Sequence, residues 1–212
     1  MVQSGDQIWL FSQLSSPWGN LPPSLDAVVH VSHVSHTGSV FYFKAGRKSR
    51  WYPLADASSL LASEHLLAGR SGPVPALGNT HRHVGQALRH MRQVADTSSL
   101  ESYARRSLEL PLSFVSYRLL DGTERAFRRV ASELANGYAV FWDRWSLPRR
   151  LAERREFTSD AALDRTIRDA LDRAQRVIGI CSPLYAQPGS YSLREFQRAT
   201  RQGKFVAHPH DA

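Results

Sequence analysis

"RVIGICSPLYAQPGSYSLREFQRA", residues 176–199, decides the fold. It begins with a continuous apolar run, Val177-Ile178-Gly179-Ile180-Cys181, with none of the alternation expected of a strand that has one wet face. Such a run reads as a central parallel strand buried on both faces. Two prolines and a glycine then signal a loop, and "SYSLREFQRA" restarts as a helix. Glu195 lies just past that loop, in the first turns of the helix. A surface acid favoured by the helix N-terminus is one reading of it. A catalytic carboxylate at the mouth of a parallel sheet is the other.

Working outward, residues 108–206 alternate strand and helix. "LPLSFVSY" reads as a strand. Asp121 with Glu124 three residues later resembles a capping box. Phe127, Val130, Ala131 and Leu134 form one helical stripe, ended by Asn136-Gly137. "YAVFWD" is a second strand, followed by a long arginine-rich loop over 144–157. Thr158, Ser159 and Asp160 are cap candidates for a helix whose stripe is Leu163, Ile167, Ala170, Leu171 and Ala174. "RVIGICS" is the third strand and "KFVAH" the fourth. This order predicts an α/β fold, a flavodoxin-like parallel sheet with helices on both faces, preceded by a smaller β-rich domain. Ligands of such sheets bind beyond the carboxyl ends of the strands. The loops at 116–122, 143–157 and 182–192 all leave those ends.

Several pieces of this half resemble a TIR (Toll/interleukin-1 receptor) domain of the bacterial NAD-hydrolase type. "FVSYRLLDG" matches the first strand with its Ser-Tyr pair and following acid. "AVFWDRWSLPRRL" matches the second strand and the start of the BB loop. "LDRTIRDALDRAQRVIGICSPLYA" matches the helix and third strand ending in Ser-Pro-x-Tyr, and "SYSLREFQRA" the helix with the family's glutamate. Tyr191 and Ser192 stand where the family has Trp and Cys, and the chain ends before the family's last elements. The resemblance implies cleavage of NAD+, as substrate and not cofactor, between nicotinamide and ribose. It implies Glu195 as the catalytic acid and Ser116, Tyr117, Trp142, Asp143, Arg144, Tyr185 and Tyr191 as substrate-binding residues. The chemistry suits one carboxylate. The leaving group departs neutral, and the oxocarbenium-like transition state is stabilised by a negative charge. Tyr117 and Trp142 also read as core or rim packing, Asp143 as a cap of the BB loop. Arg149, Arg150, Arg154 and Arg155 read as a solvated face or as a partner contact. The family further implies an immune or antiviral defence effector, activated by head-to-tail self-association.

Residues 1–100 have a different grammar. "DQIWLFS", "LDAVVHVSHV" and "SVFYFKAG" are β-rich runs separated by "SPWGNLPPS" and "HTGS". "DASSLLASEHLLAG" reads as a short helix closed by Gly69, "HVGQALRHMRQVA" as a helix, and "DTSSLESYARRS" as the link to the second domain, 108–212. The β-rich part faintly resembles PUA-like barrels of the EVE kind, which bind modified bases. Lys44, Arg47, Lys48 and Arg50 beside Trp51 and Tyr52 combine cations with aromatics, as a nucleic-acid or nucleotide site would. A small β domain with a basic turn is the alternative. His30 and His33 point to opposite faces of a strand, so no metal site is expected.

Composition sets the outer limits. The chain has 212 residues, 42% of them hydrophobic and 22% charged, enough to pack a core. The net charge of +8 favours anionic partners. Cys181 is the single cysteine, which excludes an intrachain disulfide and reads as a small buried hydrophobe. The N-terminal residues lack a signal-peptide pattern and no apolar run reaches the roughly 20 residues of a membrane span, so a cytoplasmic protein without membrane contact is expected.

Overall fold

The computed structural model describes residues 2–67, 73–76, 93–94, 96–147 and 160–208. They form two compact units. The first comprises Met1–Gln13, Pro23–Tyr52 and Ala57–Ala104, the second Leu14–Pro22, Pro53–Asp56 and Arg105–Ala212.

In the first unit, strands β1 (Gln7–Ser12), β4 (Ser24–Thr37) and β5 (Val40–Ala45) pair antiparallel in that order, and β6 (Arg50–Trp51) also pairs with β4. A second antiparallel sheet orders β8 (Pro73–Pro75), β7 (His65–Leu67) and β9 (Gln93–Val94). The expectations for this half are met only in part. Helix α1 covers only Ser58–Ser63, because Glu64 is extended and β7 follows; Gly69 lies outside the described residues. The expected link is helix α2, Ser98–Glu109. Its Leu100, Tyr103 and Ala104, spaced i, i+3, i+4, are buried with Leu25, Val28 and Leu60. Most of the helix expected at 83–95 lies outside the described residues, and its Gln93–Val94 end is strand.

The second unit holds a four-stranded parallel sheet ordered β11 (Ala139–Phe141), β10 (Leu112–Ser116), β12 (Arg176–Ile180), β13 (Phe205–His208). This order is consistent with a flavodoxin-like core. Helices α3 (Thr123–Ala135), α4 (Asp160–Arg173) and α5 (Tyr191–Arg201) connect the strands. Neighbouring residues on each strand face opposite ways. Val115, Val140 and Ile178 pack with Phe127, Val130 and Leu134 of α3. Phe114, Phe141 and Val177 pack with Ala170, Leu171 and Ala174 and with Ala199 of α5. The registered pair Phe114–Phe141 stacks at 4.9 Å. Each such side chain contributes about 2 kcal/mol on burial. Gly137, at φ 78°, ends α3 as expected. The capping box does not form: Gly122 is the N-cap of α3, and Asp121 is bonded elsewhere. Residues 143–147, expected as loop, are helical, because Trp142 O accepts from Trp145 N and Ser146 N. Residues 148–159, including Arg149, Arg150, Arg154, Arg155 and the caps Thr158 and Ser159, lie outside the described residues.

Two early segments belong to this second unit. Strands β2 (Ser15–Ser16) and β3 (Gly19–Asn20) form a small hairpin next to Leu21, which is buried beside Val130 and Trp142 in the same core. Leu54 pairs antiparallel with Val140, accepting its N–H at 2.8 Å. Edge strand β11 thereby gains cover on its outer side.

Glu133 is fully buried on α3 and paired with Arg129 at 2.6 Å and with Arg176, whose guanidinium lies 3.6 Å over the Tyr138 ring. Both arginines reach solvent at about a quarter of their side-chain surface. Glu133→Ala leaves two cations without their anion, one of them rooted in β12. The variant should lose about 2 kcal/mol in urea denaturation, below the full cost of stranding a completely buried charge. An unchanged midpoint would remove the triad from the account of stability.

Candidate active site

Because β10, β11 and β12 are parallel, Ser116, Phe141 and Ile180 end at the same edge of the sheet. The loops after them are tied to one another by side chains. Asp121 accepts from Ser182 Oγ at 2.7 Å and from Leu184 N at 3.1 Å, joining the β10–α3 and β12–α5 loops. Tyr117 OH donates to Asp143 Oδ1 at 2.7 Å, joining β10 to the helical turn after β11. Arg118 Nη2 donates to Gln187 Oε1 at 3.3 Å.

Glu195 stands at the centre of this edge. Helix α5 buries Ser192, Glu195 and Ala199, one stripe at i, i+3, i+7, so the carboxylate occupies the inward face. Its residue exposure is 8%. The helix start is fixed locally: Ser190 Oγ caps it by accepting Leu193 N at 3.1 Å, after a turn with Gly189 at φ 79°. Ser192 donates to the Tyr185 carbonyl and so holds the loop against the helix. The surface-acid reading of Glu195 does not describe this placement.

A short hydrogen-bond chain ends on the carboxylate. Tyr185 OH donates to Ser116 Oγ at 2.8 Å, and Ser116 Oγ donates to Glu195 Oε2 at 2.5 Å. All three residues are buried. Gly179 makes the approach possible: a Cβ there would lie 2.7 Å from Tyr185 Oη and 2.5 Å from the Phe205 ring. Two opposed influences act on Glu195. Burial raises its pKa and is the larger; the Ser116 hydrogen bond lowers it, the charge of Asp143 raises it further and that of Arg194 lowers it, leaving it at about 7. Burial also raises Asp143, against the Tyr117 hydrogen bond. Tyr117 and Tyr185 are held well above the ordinary phenol range, chiefly by burial, and remain donors. Among the described residues, neither Glu195 nor Asp143 has an ion-pair partner. Two carboxylates that share an edge without a bonded cation suit a positively charged ligand.

The remaining expected residues divide. Trp142 is buried in the core, edge-on to Phe127 at 6.1 Å, which is its packing reading. Arg144 is exposed, its N–H bonded to Asp143 Oδ1 at 2.7 Å. Tyr191 is 37% exposed and stacks under Arg194 at 4.2 Å. Cys181 is only half-buried. Lys44, Arg47, Lys48 and Arg50 are exposed in the first unit, and Trp51 is half-buried opposite Ala27. Asp121, Ser182, Ser190 and Ser192 were missed as site-forming residues. Their signal was a run of short hydroxyl side chains around a Pro/Gly loop. Among the described residues no group of three His, Cys, Asp or Glu stands ready for a metal, and no helix is long and apolar enough to cross a membrane. No family model, curated protein or solved structure matches the chain.

The raised carboxyl has a consequence for stability. In the folded chain Glu195 keeps its proton up to about pH 7, against 4.5 for its ordinary value. Between these limits the folded state binds more protons than the unfolded one, so stability falls as pH rises. The full cost is about 3 kcal/mol. Glu195→Gln removes it. The variant should match the wild type in urea at about pH 4.5 and exceed it by up to about 3 kcal/mol above about pH 8. A constant difference across that range would mean that Glu195 ionises freely.

Proposed function

We propose that the second unit is a TIR-type NAD+ glycohydrolase with Glu195 as its catalytic residue. The observation that carries this reading is the buried Glu195 carboxylate at the carboxyl edge of a parallel sheet, held by Ser116 and Tyr185 and acted on by the charge of Asp143. The resemblance in four sequence pieces supplies the substrate, and the electrostatics supply the reason. The nicotinamide ring of NAD+ is cationic, and as the C1′–N bond breaks its electron pair returns to the ring nitrogen. Positive charge then moves to the ribose as an oxocarbenium ion. A carboxylate fixed beside that carbon stabilises the charge without reorganising. Water adds to C1′ and gives up a proton, which Glu195, with its pKa near neutrality, is suited to accept. The products are nicotinamide, ADP-ribose and that proton.

The substituted Trp-Cys pair favours a second reading, an assembling scaffold that does not cleave. Ser192 is buried and occupied in holding the Tyr185 carbonyl, so its role in this chain is structural. The same assay separates the two. Purified protein at high concentration, incubated with NAD+, should release nicotinamide, and Glu195→Gln should lower the rate by at least about a hundredfold, the scale of losing one strong electrostatic stabiliser. In the wild type kcat/KM should rise with pH through about 7 as the carboxylate ionises. Wild-type protein that releases none is a scaffold, and an active Glu195→Gln moves the catalytic group elsewhere.

The resemblance also carries assembly. A head-to-tail contact does not close on itself and propagates with concentration. Leu119 and Leu120, 63% and 75% exposed on the loop after β10, give the edge an apolar contact surface. Specific activity should rise with protein concentration, and Leu119→Ser with Leu120→Ser should blunt that rise. Constant specific activity over a hundredfold dilution would show a self-sufficient monomer. A role in defence, with the first unit as sensor, follows the same resemblance.

A further inference from the structure

Strand β4 changes character half-way along. Its first half, Ser24 to His30, pairs with β1, and Ala27 and Val28 also pair with β6. Its second half, from His33 to Thr37, pairs with β5, while Val31 still exchanges backbone hydrogen bonds with Gly5 and Asp6. A register shift between Val31 and His33 marks the change. Val31 is buried, whereas every residue from Ser32 to Ala45 is exposed or half-buried. A 14-residue strand thus ends as a two-stranded ribbon wet on both faces. The ribbon carries Phe41 at 48% and Tyr42 at 55% exposure.

Register sorts its side chains. His33, Ser35 and Thr37 share one face with Lys44, Tyr42 and Val40; Val34 and His36 share the other with Phe43 and Phe41. The His36 and Phe41 rings lie 6.0 Å apart. At the base of the ribbon the chain turns through residues 46–49. Gly46 N donates to His30 O at 2.7 Å, and a Cβ on Gly46 would lie 3.1 Å from that oxygen. Ser49 Oγ accepts His30 N at 3.0 Å. This turn presents Arg47 and Lys48 to solvent and leads to Arg50 in β6.

The charge is one-sided. Residues 27–55 contain Lys44, Arg47, Lys48 and Arg50 and no acid. Four of the chain's eight net charges therefore sit in this segment. Among the described residues, none of the four cations is ion-paired. An ordinary solvated surface mixes signs, as α3 does with Glu124–Arg128 and α4 and α5 do with Asp172–Arg198.

We propose that the β4–β5 ribbon and the 46–50 turn bind single-stranded nucleic acid, with Tyr42 stacking on a base and Lys44 on the same face, together with Arg47, Lys48 and Arg50 of the turn, contacting phosphates. Exposed rings on a strand offer a π-face to any unpaired base, and the cations follow the backbone. An anionic membrane is disfavoured by the ribbon's leading end. The turn there is Gly38-Ser39, flanked by Thr37, whereas an inserting hairpin leads with apolar groups.

The test is fluorescence anisotropy of the full chain with a labelled oligothymidylate of about 20 nucleotides, from about 50 to about 200 mM salt. Parallel titrations use a duplex of equal length and vesicles of phosphatidylserine and phosphatidylcholine. Single-strand binding is expected, and replacing the four cations by alanine should flatten its log–log salt slope by about 3. Tyr42→Ala should weaken binding about tenfold with the slope unchanged. All these positions are exposed or at the ribbon surface, and far-UV circular dichroism checks that each variant is folded. The proposal is overturned by no binding at the lowest salt, by cation variants that bind like the wild type, or by Tyr42→Ala being neutral with the duplex bound as tightly. Vesicle binding without oligonucleotide binding overturns it as well.

Discussion

The desolvation of one carboxylate organises the second unit. Glu195 is placed on the inward stripe of α5, where an apolar residue would pack at no electrostatic cost. Its neighbours do not neutralise it. Ser116 and Tyr185 orient two hydroxyl protons along a chain towards it, and Asp143 adds a like charge. Hydrogen bonds to a buried anion are worth more than those in water, but here they do not outweigh burial. A site in that condition is poised, because any cation entering it lowers the cost of ionising the acid.

Around that acid the fold supplies rigidity. Gly179 lets the Tyr185 hydroxyl approach the sheet, Asp121 ties two loops at their roots, and Ser190 and Ser192 lock the start of α5. The β10–β12 pairing sets the Ser116 hydroxyl opposite the strand that leads to Tyr185. The core beneath is two-sided, with alternate residues of each strand committed to α3 or to α4 and α5. Leu21 and Leu54, far upstream in sequence, complete it.

The sheet was legible because its strands are continuous apolar runs and its helices carry clean stripes. The burial of Glu195 agrees with the i, i+3, i+7 spacing of Ser192, Glu195 and Ala199. Long-range polar pairing was not legible. Asp121 followed by Glu124 has the local form of a capping box, yet the Ser182 hydroxyl, 61 residues away, takes the aspartate. The helix at Ser98–Glu109 was hidden because its apolar stripe has only three residues among polar ones. The assignment of Leu14–Pro22 and Pro53–Asp56 to the second unit rests on contacts with a core that begins at Val115, far downstream, which no local pattern reports.

The central claim is that burial and Asp143 together hold Glu195 part-protonated at neutral pH. Carbon-13 NMR titration of the glutamate side-chain carboxyls, with Glu195→Gln to assign the resonance, measures this directly. The account predicts a midpoint at about 7 for Glu195 in the wild type and a lower one in Asp143→Asn. A midpoint near the ordinary 4.5 in both proteins would contradict it.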